Sequence, residues 1–152
     1  MMIRIDNRQK IIRLDRRRLH RRIHALGRLL DLTDREVSLV FTDDRGIQEI
    51  NRDYLGRDHP TNVISFAIGE GEFTTVNPQL LGDIVISVER ALHDARETDL
   101  PLEDEIDFLI IHGLLHLIGY DHEDVEDSEV RRMIRKEEEL FKALNGYRLD
   151  IE

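Results

Sequence analysis

The chain has 152 residues, of which 40% are hydrophobic and 36% are charged, a balance typical of a soluble globular protein long enough to bury one core. It contains no cysteine, which excludes disulfide bonds, cysteine-ligated zinc and a cysteine nucleophile. No apolar run approaches the roughly 18 residues that a membrane helix needs, and the net charge of −10 disfavours a general affinity for nucleic acid.

The pattern of apolar residues, caps and glycines predicts an alternation of strands and helices. In chain order these are a strand at Met2–Asn7, a helix capped by Asp15 that runs to about residue 30, a strand at Glu36–Thr42, a helix capped by Asp43 or Asp44 that reaches residue 54, strands at 62–68 and 83–88, and helices at 89–97, 101–119 and roughly 126–144. The segment 69–78 is expected to be a mobile loop. Met133, Ile134 and Phe141 are expected on the inner side of the last helix. The order predicts an α+β fold, a small mixed β-sheet of about four strands with helices packed on it, in one domain spanning residues 1–152.

Charge is distributed unevenly along the chain. Residues 1–30 hold ten Lys and Arg against two Asp and Glu, whereas residues 103–152 hold six against fifteen. Within the first predicted helix, Arg17, Arg21 and Arg28 follow helical spacing on a face other than the buried one. These arginines predict a local binding surface for a polyanion. The alternative is a solvated helix face.

Three of the seven histidines fall in one short segment, HGLLHLIGYDH, which runs from His112 to His122. His112 and His116 are four residues apart on a predicted helix, so they project side by side from one face. Gly119 permits the left-handed conformation that reverses a chain after a helix. His122 can then fold back toward the other two. The spacing therefore predicts a three-histidine metal site with a fourth position open for water.

Three neutral imidazoles suit zinc and leave its charge uncompensated, which lowers the pKa of a bound water to ~7. We therefore expect one zinc ion per chain, while nickel, copper and iron also accept imidazole ligands. His20, His24 and His93 lack comparable spacing and are expected to be surface or satisfied core residues.

The same spacing occurs in the zinc-protease pattern H-E-x-x-H-x-x-G-x-x-H. Here Gly113 stands where the protease carries the glutamate that activates water for peptide hydrolysis. The spacing therefore favours a metal site and argues against a peptidase.

The histidine segment, together with GRDHPTNVISF at residues 56–66 and LGDIVIS at residues 81–87, closely resembles the bacterial YbeY family over essentially the whole chain. The resemblance implies an α+β fold with a zincin-like metal-bearing helix, and it makes His112, His116 and His122 the metal ligands. It further implies a metal-dependent endoribonuclease that cleaves single-stranded RNA, acting in rRNA maturation at the 3′ end of small-subunit rRNA and in ribosome quality control.

The partners that this resemblance implies are single-stranded RNA and rRNA, the ribosome or its small subunit, a ribosome-assembly GTPase and a small-subunit ribosomal protein. The implied location is cytoplasmic, without membrane association. Arg17, Arg21 and Arg28 are then expected to track the RNA backbone, which gives a sequence-independent, salt-sensitive affinity.

One departure from the family pattern concerns the cation near the phosphate. The family usually carries an arginine at the position of Leu55, and Arg57 stands two residues later, where a lysine or arginine is common. Arg57 is therefore the candidate catalytic residue, and the alternative is that it pairs only with Asp58 or solvent. Asp121 is a candidate to orient a metal ligand, and its alternative is a loop carboxylate facing water.

Two competing functions are kept open. A zinc peptidase would need a general base from elsewhere in the chain. A ribosome assembly factor with a structural metal would need a fourth protein ligand, for which the candidates are Asp58, His59, Asp83 and Asp121. For the endoribonuclease, the sequence leaves open whether a metal-activated hydroxide or the ribose 2′-OH attacks the phosphate.

Overall fold

The computed structural model describes residues 1–68, 79–121 and 125–149. Within those ranges the elements are β1 (Met2–Asn7), α1 (Arg16–Leu29), β2 (Glu36–Thr42), α2 (Asp44–Leu55), β3 (Val63–Ala67), β4 (Leu80–Ser87), α3 (Val88–Thr98), α4 (Leu102–Leu117) and α5 (Asp127–Asn145). The predicted loop at 69–78 lies outside the described residues, and so does His122. None of the described helices is long and apolar enough to cross a membrane.

The four strands form one mixed sheet in the order β1–β2–β4–β3. β1 and β4 both pair parallel with β2, and β3 pairs antiparallel with β4. Parallel neighbours need a crossover connection, and α1 provides it between β1 and β2. The predicted α+β fold with a four-stranded mixed sheet is confirmed, and β3 lies at an edge of the described sheet.

The two faces of the sheet carry cores of different size. The larger core joins α1, α4 and α5 to one face, and its fully buried side chains include Ile23, Leu39, Ile84, Ile110 and Phe141. The smaller core holds Val40, Ile47, Ile64 and Val85. Because neighbouring residues of a strand point to opposite faces, Leu39 and Val40 place α2 on the face opposite α4. β2 is buried on both faces, which explains its nearly continuous apolar sequence.

α4 is the central helix, and its sequence is apolar around most of its circumference because it is buried on most sides. It begins after Pro101 with three carboxylates in its first turn, where they complement the helix dipole. At its other end Gly119 has a φ of +104°. The Gly119 amide donates to the His116 carbonyl at 3.1 Å, and the Tyr120 amide donates to the Leu115 carbonyl at 2.9 Å. This is the predicted chain reversal after the helix.

A buried ion pair ties the N-terminal half of α4 to α1. Arg18 donates to both carboxylate oxygens of Asp107, at 2.9 and 2.8 Å, and Asp107 is 1% exposed. Glu103 and Asp104 also pair with Arg18. Burial by itself would lower the pKa of Arg18, but the hydrogen bond to Asp107 and these carboxylates hold the pKa above its usual value.

Glu105, also on this half of α4, is buried without a cationic partner among the described residues. Burial, together with the nearby Asp94 carboxylate, raises the pKa of Glu105 from 4.5 to about 7. The charged form of this side chain is therefore disfavoured in the folded protein at neutral pH.

Two predictions are wrong: the start of β4 and the burial of Ile134. β4 begins at Leu80, three residues before the predicted start, because Gly82 (φ +149°) forms a bulge against β2. A Cβ atom at Gly82 would lie 2.1 Å from the Phe66 carbonyl oxygen. Ile134, expected on the inner side of α5, is 38% exposed, whereas Met133 and Phe141 are buried as expected.

Candidate metal and phosphate site

His112 and His116 point their ring nitrogens toward the same spot at the C-terminal end of α4. The two Nε2 atoms are 3.2 Å apart, with the ring centroids 4.7 Å apart and the planes at 77°. Two imidazole nitrogens that share a tetrahedral zinc at about 2.05 Å would lie roughly 3.3 Å apart. The structure thus brings two of the three predicted ligands into a spacing that fits one metal ion, while His122 lies outside the described residues.

These histidines form one wall of a cavity of about 490 Å³, a size typical of small-ligand sites. The other walls come from the end of α2, the segment that leads into β3, β3 itself and the turn after α4. The lining residues include Asn51, Leu55, Arg57, His59, Asn62, Ser65, Tyr120 and Asp121. Most of the described residues that line it are partly or fully exposed, so the histidines lie at a surface cavity and not inside the core.

Arg57 reaches this cavity through a turn that the sequence specifies locally. Gly56 ends α2 in the left-handed conformation, with a φ of +69°. The buried Asn51 then fixes the turn: its carbonyl accepts the Arg57 amide at 3.2 Å, and its side-chain amide donates to the His59 carbonyl at 2.9 Å. Asp58 accepts a hydrogen bond from Gln48. Arg57 and Leu55 therefore line the same cavity as the histidines.

Gly113 has no room for a side chain. A Cβ atom there would lie 2.8 Å from Ile84 Cγ2 and 3.0 Å from Ser65 Oγ, because α4 crosses closely over β3 and β4. The Ser65 hydroxyl donates to the Gly113 carbonyl at 3.2 Å. The helix therefore offers no position for the glutamate base of the zinc-protease pattern.

Of the four further candidate ligands, only some line the cavity of the histidines. Asp121 and His59 line the cavity, and both are exposed. Asp58 and Asp83 are not among the described residues that line it. A fourth protein ligand among the described candidates is thus restricted to His59 and Asp121.

Sequence reasoning missed Glu137 of α5. Its Oε1 atom lies 2.8 Å from His112 Nδ1, and the Glu137 side chain is 7% exposed. The two residues are 25 positions apart, so no local spacing links them. The available signal was the position of Glu137 on the buried face of α5, with Met133, Leu140 and Phe141, where a charged residue needs a partner.

A second cation near the cavity was also missed. The guanidinium carbon of Arg132 lies 4.5 Å from the centroid of the Tyr120 ring, within the range of a cation–π interaction. Because Tyr120 lines the cavity, this contact keeps a positive charge close to the cavity wall.

The three arginines predicted to bind RNA are exposed on α1 and do not line the cavity. Two other arginines of the same helix, Arg18 and Arg22, form ion pairs with Asp107 of α4 and so hold α1 against that helix. His112 is five residues beyond Asp107, a rise of about 7.5 Å along α4. Arg17, Arg21 and Arg28 are thus exposed residues of α1 outside the lining of the histidine cavity.

Another group of possible metal ligands lies on α3. The ligand atoms of His93, Asp94 and Glu97 are all within 4.8 Å of one another, and it is the one such group found among the described residues. His93 contacts Asp94 at 3.4 Å and Glu97 at 3.5 Å, and two of the three side chains are exposed. The expectation that His93 is a surface residue agrees with its position.

The chain is similar to known proteins over nearly its whole length. A family model described as Endoribonuclease YbeY matches residues 4–145. A protein from Syntrophus aciditrophicus, named Endoribonuclease YbeY, is 55% identical over 150 residues, which cover 99% of this chain and 94% of that protein. A protein of the same name from Geobacter sulfurreducens is 46% identical over 146 residues, covering 96% and 97%.

Solved structures give a consistent result. The solution structure of a Thermotoga maritima protein superposes with a TM-score of 0.66 at 28% sequence identity. The superposition covers 95% of this chain and 90% of the other. The similarity therefore extends over both the sheet and the helix that carries His112 and His116.

Proposed function

Since the chain belongs to the YbeY family of endoribonucleases, we propose that it is a zinc-dependent hydrolase that cleaves single-stranded RNA. The observation that carries this proposal is the convergence of the His112 and His116 Nε2 atoms, 3.2 Å apart, in a cavity that Arg57 also lines. A Lewis acid and a cation that holds the phosphate oxygens both accelerate phosphoryl transfer, and residues suited to each role line the same cavity.

The residues that would hold the zinc are His112, His116 and His122. Neutral imidazoles are suitable donors for zinc, and the spacing of the first two fits a single ion. When bound, zinc supplies Lewis-acid chemistry, because it makes water more acidic and polarises a phosphoryl oxygen. Asp121 lines the same cavity and is proposed to orient a ligand from outside the coordination shell.

Arg57 is proposed as the catalytic cation. It stands on a turn fixed by Asn51, so its backbone is held in place before RNA arrives. Its planar guanidinium can donate two parallel hydrogen bonds to a phosphate, whereas Leu55 brings only apolar surface to the cavity. Arg132, held against Tyr120, adds positive charge nearby and can attract the flanking backbone.

The substrate is proposed to be rRNA, at the 3′ end of the small-subunit species, with a role in maturation and ribosome quality control in the cytoplasm. The exposed arginines of α1 would hold the backbone away from the cavity, and the ribosome, a small-subunit ribosomal protein and an assembly GTPase are the proposed partners. Residues 1–152 are proposed to act as one domain.

The peptidase alternative is disfavoured by the packing at Gly113, which leaves no space for a glutamate base. Among the described candidates, the structural-metal alternative would use His59 or Asp121 to close the coordination sphere, and both lie at the surface of the cavity. Neither alternative is supported by an observation of its own.

The test is incubation of zinc-loaded protein with labelled single-stranded RNA, duplex RNA and casein, each with and without a chelator. Cleavage of the single strand alone, lost with the chelator and restored by zinc, is the expected result. Proteolysis of casein, or no turnover by protein with full zinc content, would contradict the proposal. A matched RNA with a 2′-deoxy nucleotide at the cleaved position is cut only if water, and not the ribose hydroxyl, attacks the phosphate.

A further inference from the structure

We propose that Glu137 is a positioning residue for His112. Its carboxylate accepts a hydrogen bond from the Nδ1–H group of the neutral ring and thereby leaves the unprotonated Nε2 atom facing the cavity. The role toward a metal rests on the function proposed above, but the hydrogen bond and the tautomer can be measured in the metal-free chain.

The chemistry of the contact assigns the proton. A neutral imidazole carries one N–H group, on Nδ1 or on Nε2. A carboxylate can only accept, so the 2.8 Å contact between Glu137 Oε1 and His112 Nδ1 requires the proton to be on Nδ1. His112 Nε2 is then left without a proton, and it lies 3.2 Å from His116 Nε2, a separation that suits two ligands of one metal ion.

The surroundings make this contact costly to lose. Glu137 is 5% exposed, and among the described residues its side chain has His112 as its hydrogen-bond partner and no cation beside it. A small apolar cavity, lined by Phe108, Met133 and Ile134, adjoins both members of the pair. In apolar surroundings a carboxylate without a partner pays the full penalty of desolvation, so the ring and the carboxylate hold each other in place.

The backbone on both sides is rigid. Glu137 is flanked on the inner face of α5 by the buried residues Met133, Leu140 and Phe141, and His112 lies on α4 next to the buried Ile111. Two packed helices therefore set the distance between carboxylate and ring. A side chain on a mobile loop could not fix a tautomer in this way.

The experiment compares four purified proteins: the parent, Glu137→Gln, Glu137→Leu and the control Glu139→Gln. Glu139 lies two residues further along α5, is exposed and pairs with Lys136 at the surface. Long-range ¹H–¹⁵N spectra of the metal-free proteins report which His112 nitrogen is protonated, and competition with a chromogenic chelator gives the zinc affinity. Urea unfolding is measured for each protein.

The parent and Glu139→Gln are expected to show the Nδ1–H tautomer and equal zinc affinity. Glu137→Leu, which has no acceptor, should show a mixture of tautomers and an affinity lower by about 10–100-fold, the scale for loss of a partner to a ligating histidine. Glu137→Gln keeps an acceptor oxygen, so it should retain the tautomer and lose less affinity than Glu137→Leu. A folding defect alone would not produce this order, and the tautomer of the parent still decides the matter if Glu137→Leu is unfolded.

The proposal is overturned if the Nε2–H tautomer dominates in the parent, or if removal of the carboxylate changes neither the tautomer nor the zinc affinity. A parent that shows the Nδ1–H tautomer but binds no zinc would contradict the proposed function and leave the positioning contact established. The two failures are thus distinguishable.

Discussion

The polar side chains in the two halves of α4 differ in what they face: those of the first half face a neighbouring helix, and those of the second half face a cavity. In the N-terminal half, Asp107 is buried and both of its oxygens accept hydrogen bonds from Arg18. In the C-terminal half, His112 and His116 turn their Nε2 atoms toward an open cavity. The first group uses its hydrogen-bonding capacity to join two helices, whereas the second brings two ring nitrogens to the wall of a cavity.

This difference separates a structural cluster from a candidate site on the same helix. Charge and burial alone do not distinguish them, because both halves carry ionisable residues in a largely buried element. The geometry does: ligand atoms that converge on accessible space indicate binding, and those paired with a neighbouring helix indicate stability. Substitutions at the two ends should therefore affect different properties.

The largest expected effect is at the structural end. Arg18→Ala leaves Asp107 buried with only Arg22, at 3.5 Å, and removing one partner of a buried ion pair costs roughly 3–5 kcal/mol. Urea unfolding should show this loss, while Arg17→Ala, an exposed neighbour on the same helix, should change stability by less than about 0.5 kcal/mol. Equal unfolding midpoints for the two variants would mean that the cluster does not hold α1 to α4.

At the open end, His116→Ala should reduce zinc binding with little loss of apo stability. If three ligands share roughly 10 kcal/mol of binding free energy, one ligand is worth about 3 kcal/mol, or more than a hundredfold in affinity. Atomic emission on purified protein measures the stoichiometry. His93→Ala is the matched control, because it removes the imidazole of the α3 group. Zinc lost from His93→Ala and kept by His116→Ala would move the metal site to α3.

The phosphate cation should be separable from the metal. Arg57→Ala is expected to lower single-turnover RNA cleavage by ~10²-fold, the scale for loss of one transition-state donor, with zinc content unchanged. Leu55→Arg, added to that variant, should restore part of the rate, and Arg57→Lys should keep less activity than the parent because lysine is a point charge. Arg52→Ala, on the exposed side of α2, is the control. A parent-like rate for Arg57→Ala would mean that another residue binds the phosphate, and Arg132 would be tested next.

A pH experiment tests the burial of Glu105 in the N-terminal half of α4. Because burial and Asp94 raise the pKa of Glu105 from 4.5 to about 7, the folded chain binds this proton more tightly than the unfolded chain. The contribution of Glu105 to stability is therefore fully present below about pH 4.5 and is lost as the pH rises through about 7. Glu105→Gln should be more stable than the parent by about 3 kcal/mol at pH 8, because each unit of this rise in pKa is worth about 1.4 kcal/mol, and nearly equal to it at pH 4. Equal stability at both values would place the carboxylate in a polar environment.

The smallest effect per residue is expected on α1. Replacing Arg17, Arg21 and Arg28 together should weaken RNA binding and flatten the slope of log affinity against log salt by ~0.7 for each lost contact with a single strand. Zinc content should stay the same, since these residues do not line the cavity of the histidines. Filter binding across a salt series measures the slope, and an unchanged slope would mean that this face is simply solvated.

Local chemistry explains which parts could be predicted from the sequence. Asp15 and Asp43 cap their helices as expected, and Gly119 reverses the chain, because a cap depends on residues within one turn of each other. The pairing of His112 with His116 follows from the helix repeat in the same way. The resemblance to a known family also predicted the fold, because the histidine segment is specific to a family that has this α+β arrangement.

The parts that could not be predicted depend on distant residues. The order of the strands places β4 between β2 and β3, and no local pattern contains that information. Glu137 meets His112 only because α5 packs on α4, and Arg132 meets Tyr120 for the same reason. The early start of β4 was missed because a glycine within a strand normally weakens it, while here Gly82 permits a bulge.

The packing of Gly113 has a consequence for how this chain can evolve. A glutamate at this position would have to displace Ile84, which is fully buried in β4 and, being β-branched, has little rotamer freedom. Space could be made by shortening Ile84, but Ile→Ala changes in a core cost roughly 2–5 kcal/mol, a large part of the stability of a typical domain. A route from this site to peptide chemistry therefore requires two substitutions, the first harmful and without benefit. Selection for stability alone keeps the histidine helix away from the protease pattern.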